Sequence, residues 1–292
     1  MLEYTCLKAR QASCIINKHT VFQAAFSKGQ GLIFLFKLVT TPGLILAVTL
    51  LTRRFGPVLG GLLMGIPLTT GPISFFLAHE FGVDFAAKAA VSSLFGQIST
   101  GAFCLAYAAT ALRFSPVVSA FAGFSAFAGL SAVFSGIDWD LPYAILFFVA
   151  ALFVIAQVFP AVRAVPSPRK SPVWDIPLRM VLGATVVTGI TLLANQVGPH
   201  LSGLIAPMPV IALVLAVFIH TVQGGEAAGA LLRSVVLGSP AFGMFFLTLV
   251  ATLPVLPLLA CYALAATASL VTSAAIGLII RRDAAREVAA IS

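Results

Sequence analysis

Apolar runs of about 20 residues follow one another from Leu32 to Ile280, divided by short polar or Pro/Gly-rich stretches. As a helix, a run of that length spans a hydrocarbon core of roughly 30 Å. The pattern predicts nine spanning helices, at Leu32–Leu51, Pro57–Leu77, Phe85–Leu112, Ser115–Ser135, Leu141–Val162, Ile176–Ala194, Pro199–Thr221, Glu226–Leu253 and Pro257–Ile280. The fold class is therefore all-α, a polytopic membrane protein. Residues 1–31 form a polar, basic tail without a signal-peptide pattern, since no small-x-small site follows the first apolar run. A proline-rich loop from Pro166 to Asp175 divides the fifth helix from the sixth, and residues 281–292 form a basic, alanine-rich tail.

The apolar pattern also repeats. Gly56-Pro57 recurs as Gly198-Pro199, and Pro67, inside the second helix, recurs as Pro209 inside the seventh. The register continues without a gap through Gly82 and Gly224, Gly96 and Gly238, and Phe103 and Phe245. Over 56–105 and 198–247, 14 of 50 positions are identical, more than chance gives in so apolar a chain, so the sequence predicts an internal duplication. Repeat 1 occupies 32–136 and repeat 2 occupies 174–280, and residues 137–173 supply an unpaired linker helix and loop. A repeat that restarts after five crossings begins on the opposite side of the membrane. The halves should therefore be inverted, a construction common among secondary transporters.

Composition agrees with the membrane reading. Hydrophobic residues make up 60% of the chain and charged residues 9%, against about 25% charged in a soluble domain. The net charge of +8 would suggest nucleic acid in a soluble protein. Here the cations lie between apolar runs, where they set orientation and meet anionic headgroups, and no nucleic-acid partner is expected. Eleven of the 17 Lys and Arg fall on the side that holds the C-terminus, which makes that side cytoplasmic by the positive-inside rule. Four cations in the N-terminal tail oppose this orientation. Cys6, Cys14, Cys104 and Cys261 form no CxxC pair and approach no His cluster in sequence, so neither a metal site nor a disulfide framework is expected.

The candidate chemistry gathers at the interrupted helices. A proline inside a helix removes a hydrogen bond and clashes with the turn before it. Pro67 and Pro209 sit mid-span, and Gly65 and Pro207 deepen the two breaks. Irregular backbone at that depth needs protein or a wet cavity around it, and paired breaks in corresponding helices point to a transporter binding site; a plain packing kink is the bland alternative. Thr69 and Thr70 follow Pro67 in the first half only, where hydroxyls cap a half-helix, face a substrate, or bond the carbonyl a turn back. Gln97, mid-membrane, pairs by the same spacing with Ser239. Lys37 and Arg179 are equivalent positions early in the first helix of each half; they fit interfacial anchors or a charged gate for an anion. Asp84 and Glu226 are equivalent and should cap the helices they begin. His79, Glu80 and Asp84 fit no standard metal spacing, and Asp138-Trp139-Asp140 reads as a solvated turn with an interfacial tryptophan. No phosphate loop, nucleophile elbow, HExxH or dinucleotide glycine pattern occurs, so neither an enzyme nor a cofactor is expected.

Each half resembles the GlpM family, small bacterial inner-membrane proteins of four predicted helices. In the second half the resemblance rests on Arg179, Ser202-Gly203-Leu204-Ile205, Pro209 and Gly225-Glu226-Ala227, and in the first on Lys37, Gly60-Gly61-Leu62-Leu63 and Pro67. It covers about 32–136 and 174–280. Family members are single units, whereas this chain is a fused pair. The resemblance implies an inner-membrane scaffold and a part in alginate production, and no substrate comes with it. Two functions follow as expectations. One is a small secondary transporter of an unidentified polar or anionic solute, with its site at the broken second and seventh helices. The other is a non-transporting component supporting envelope or exopolysaccharide biosynthesis, working through a homodimer or an envelope-biosynthesis partner. The first requires a polar cavity at the breaks and the second a dry centre.

Overall fold

The computed structural model describes residues 70–137, 141–160 and 207–291 continuously, with scattered residues between 42 and 67 and between 176 and 185. Among the described residues all regular structure is helical: α1 Thr70–Phe81, α2 Val83–Ala111, α3 Pro116–Phe134, α4 Leu141–Val158, α5 Val210–Gln223, α6 Gly225–Thr252 and α7 Leu258–Ile291. Five of these (α2, α3, α4, α6 and the 258–280 stretch of α7) are long and apolar enough to cross a membrane. They fit a multi-pass membrane protein and correspond to the third, fourth, fifth, eighth and ninth predicted helices. The predicted first and sixth helices lie mostly outside the described residues.

Three boundaries differ from expectation, each for a local reason. The predicted second and seventh helices enter the description as half-helices, α1 and α5, which begin only after Pro67 and Pro209 and run on to Phe81 and Gln223. The basic stretch after Ile280 is not a separate tail: α7 continues to Ile291, because alanine, arginine and glutamate favour helix and neither glycine nor proline interrupts them. Asp84 and Glu226 do not cap. The N-cap positions are Gly82 and Gly224, with no side-chain cap bond, and both carboxylates sit in the first turn, where they complement the helix dipole.

Gly82 and Gly224 are each the only residue between two helices. Their φ,ψ values are 88°,171° and 97°,170°, a region essentially confined to glycine. The same bonds close both turns: Gly82 N–H to the Ala78 carbonyl at 3.1 Å and Gly224 N–H to the His220 carbonyl at 3.0 Å. Both sequence positions in each bond differ by the spacing that separates Gln97 from Ser239, 142 residues.

Helices α2 and α6 form the centre of the molecule. Leu94, Cys104, Tyr107, Leu231, Leu232 and Leu249 have no exposed surface. The two helices run antiparallel. Near their midpoints Gln97 meets Ser239, while the C-terminal residue of α2, Ala111, lies with its carbonyl against the first residue of α6, Gly225. Each is longer than needed to cross the hydrocarbon: the 29 residues of α2 extend about 43 Å at 1.5 Å per residue.

Around this pair the packing is reciprocal. Helix α3 packs on α2 and reaches α5, while α7 packs on α6 and reaches α1. Helix α4 touches both α2 and α6. Gly101 of α2 meets Leu152 and Ile155 of α4, and Gly243 of α6 meets Phe148, about one to two turns earlier along α4. Small residues at these crossings let helices approach closely, as membrane helix packing requires.

Candidate functional site

The two breaks have the same local form. Gly71 N–H bonds the Pro67 carbonyl at 2.9 Å, and Leu213 N–H bonds the Pro209 carbonyl at 2.8 Å. Helix α1 then starts at Thr70 and α5 at Val210. Each break presents a helix N-terminus with a partial positive charge, carried at α1 by few free amides, since Gly71 N–H is bonded to Pro67 and Pro72 has no N–H. On its other side, α1 is fixed to α7 by the buried bond between Ser74 Oγ and the Tyr262 hydroxyl at 2.8 Å and by the edge contact of Phe75 with the Tyr262 ring at 5.1 Å.

Both N-termini border one partly open cavity of about 70 Å³, whose described lining includes Pro67, Thr70, Gln97, Pro207 and Pro209. Its wall is built from positions 142 apart. Ile66 and Met208, Pro67 and Pro209, Thr70 and Ala212, and Thr100 and Phe242 all line it. Both members of four such pairs therefore line one space. The Gln97–Ser239 contact, which joins a fifth pair, lies beside it.

The hydrogen bonds at this wall fix donor and acceptor roles. Ser239 Oγ donates its one proton to the Val235 carbonyl at 3.1 Å, so toward Gln97 it accepts, from Nε2 at 2.8 Å. That assignment leaves Gln97 its Oε1 and a second N–H. Gln97 is 3% exposed and Thr70 6%, and among the described residues the Thr70 hydroxyl makes no hydrogen bond. Thr100 Oγ1 lies 3.1 Å from the Gly96 carbonyl and 3.0 Å from the Pro207 carbonyl, and shares its proton between them. It thereby ties the break before α5 to the middle of α2.

Five of the residues singled out in sequence thus border one space. Gly65 does not; it lies backbone to backbone against Gly238 of α6, where a side chain on either residue would meet main-chain atoms. Thr69, Lys37, Arg179 and Asp138–Asp140 lie outside the described residues, as does the Glu80 side chain. His79 and Arg233 are exposed. His220 lies away from the cavity, with its Nδ1 3.4 Å from the Tyr107 hydroxyl. Among the described residues no three His, Cys, Asp or Glu side chains converge as metal ligands. The sequence pattern does not single out Thr100, Val235 or Phe242, which also line the cavity. Thr100 carries a signal that would have found it, a hydroxyl in one half opposite an apolar Phe242 in the other. No protein-family model, curated protein or solved structure matches the chain.

Proposed function

We propose that this protein is a small secondary transporter of a small polar or anionic solute, and that the solute binds in the cavity between the breaks at Pro67 and Pro209. The observation that carries this reading is the cavity wall, in which both members of four pairs 142 apart meet around unpartnered polar groups. In this reading the chain is two GlpM-like four-helix units in inverted orientation, joined by α4. The antiparallel course of α2 and α6 supports the inversion, because these helices are equivalent in the two units. Binding at the interface of inverted units, at broken helices, is the arrangement that alternating access uses.

In this reading the protein acts in a bacterial inner membrane, as the resemblance to GlpM implies, with its C-terminus in the cytoplasm, on the strength of its loop charges, and is neither an enzyme nor dependent on a cofactor. The alternative, a non-transporting envelope or exopolysaccharide component, calls for a dry centre. The polar groups of Thr70 and Gln97, held more than nine-tenths buried beside an open volume, favour transport. The test is flux of a panel of labelled small solutes into proteoliposomes containing the purified chain. Transport predicts uptake of at least one solute above protein-free vesicles and its reduction in Thr70→Val at unchanged reconstitution. Flux at the protein-free level for every solute, from correctly folded protein, would leave the assembly role in its place.

A further inference from the structure

The pairs that line the cavity are alike in position and unlike in chemistry. Thr70 faces the space from one unit where Ala212 does from the other, and Thr100 stands opposite Phe242. Among the described residues the polar side chains in the wall, Thr70, Gln97 and Thr100, all come from the first unit. The second unit contributes Met208, Ile211, Ala212, Val235 and Phe242, and its polar equivalent of Gln97, Ser239, has its proton committed to Val235. One wall therefore hydrogen-bonds and the other does not. An inorganic ion would leave the apolar wall without use, and a wholly apolar solute would leave the buried polar groups of Thr70 and Gln97 unpaired, which is unfavourable.

The polar wall has a sign. Two helix N-termini, those of α1 and α5, reach the cavity, and helix N-termini favour anions. A second observation points to a ligand there: the hydroxyl of Thr70 and one N–H of Gln97 are free to donate, on side chains that are 6% and 3% exposed. Among the described lining residues there is no carboxylate to repel an anion and no Lys or Arg to demand a multiply charged one. The volume sets the size. A 150 Å³ apolar cavity in another protein holds the six carbons of benzene. About 70 Å³ on that scale takes roughly three heavy atoms, and because the cavity is partly open a solute of four or five extends into its mouth.

We infer that the cavity binds a short-chain monocarboxylate of two or three carbons, with its carboxylate on the Thr70 hydroxyl and the free Gln97 N–H, and its methyl or ethyl end against Val235 and Phe242. This rests on the site reading proposed above and names the substrate class for it. Phe242, the largest apolar side chain of the described lining, sets the chain length.

The experiment is equilibrium binding of radiolabelled acetate to the full-length purified protein in lipid nanodiscs, with propionate, acetamide, nitrate and pentanoate as competitors. Binding in this format does not depend on flux. Acetate should bind saturably. Propionate should compete about fourfold more strongly, as one buried methylene predicts, and acetamide and nitrate at least tenfold more weakly. Thr70→Val should weaken acetate about tenfold, the usual size of a lost hydrogen bond to a charged group. Phe242→Ala should admit pentanoate, a gain that misfolding does not produce. Acetamide equal to acetate would overturn the anionic assignment, nitrate equal to acetate would overturn the role of the apolar wall, and no displaceable acetate would overturn the inference as a whole. Flux of some other solute by a protein that ignores carboxylates would leave transport standing without this substrate class, whereas carboxylate binding without any flux would leave the class standing without transport.

Discussion

Gln97 donates its Nε2 proton to Ser239 Oγ at 2.8 Å, and the two residues are 142 positions apart, the spacing that also separates Pro67 from Pro209. In the proposed inverted duplication, residues that touch their own equivalents lie on the axis relating the two units. Both residues sit near the middle of their helices, so in the proposed architecture this axis crosses the molecule at the depth of the bilayer centre, beside the cavity.

Breaking that contact should be mild in stability. Interhelical hydrogen bonds in membranes contribute about 0.6 kcal/mol on average and at most about 1.7. Gln97→Leu and Ser239→Ala should each destabilise by about that amount in mixed-micelle unfolding, and the double variant should cost less than the sum because the shared bond is removed only once. Strict additivity would show that the bond contributes nothing.

The two helix-to-helix turns offer a paired test. Gly82→Ala and Gly224→Ala force a side chain into φ,ψ values of 88°,171° and 97°,170°, where strain costs about 1–3 kcal/mol. Nothing lies within 4 Å of a Cβ added at either site, so any loss is conformational. The two variants should lose similar stability by the same unfolding assay, as equivalent turns would.

Close helix approach gives a third contrast. Gly225→Ala places a Cβ against the Ala111 carbonyl, whereas Gly129→Ala in α3 meets nothing within 4 Å. The first should destabilise by about 1–3 kcal/mol through overpacking, and the second should be neutral or stabilising, because alanine favours helix over glycine by up to about 1 kcal/mol. Thermal unfolding of the two proteins side by side checks the order.

The inversion itself is open to side-specific labelling. Phe114 and Leu256 are equivalent by the 142 spacing and exposed at 55% and 39%, just before α3 and α7. In a variant lacking Cys6, Cys14, Cys104 and Cys261, Phe114→Cys and Leu256→Cys should react with an impermeant maleimide from opposite sides of the membrane. Reaction from the same side would mean the units are parallel.

How far the sequence reveals this molecule can be traced residue by residue. The long apolar helices α2, α3, α4, α6 and α7 were legible because uninterrupted apolar runs have few other uses in so uncharged a chain. The breaks are legible because proline declares itself, and the 142 spacing ties Pro67 to Pro209 within the sequence itself. Helix starts were less so: Asp84 and Glu226 looked like caps, but a carboxylate works one turn in through the dipole while Gly82 and Gly224 supply the turn. The continuation of α7 to Ile291 was hidden because charge reads as an ending, although Arg282 and Arg286 are good helix formers. Thr100 stayed unseen because a mid-helix threonine usually bonds only the carbonyl a turn back; its bond to Pro207 is a tertiary contact that no local pattern encodes.

Accessibility of the cavity from the two sides of the membrane tests the central claim most directly. Ala212 is 3% exposed and lines the cavity opposite Thr70, and cysteine is close to it in size. In the cysteine-free background, Ala212→Cys should be modified by a small impermeant thiol reagent in both right-side-out and inside-out vesicles, and bound solute should protect it from either side. Modification from one side alone under all conditions, or from neither in folded protein, would contradict an alternating-access site between the two breaks.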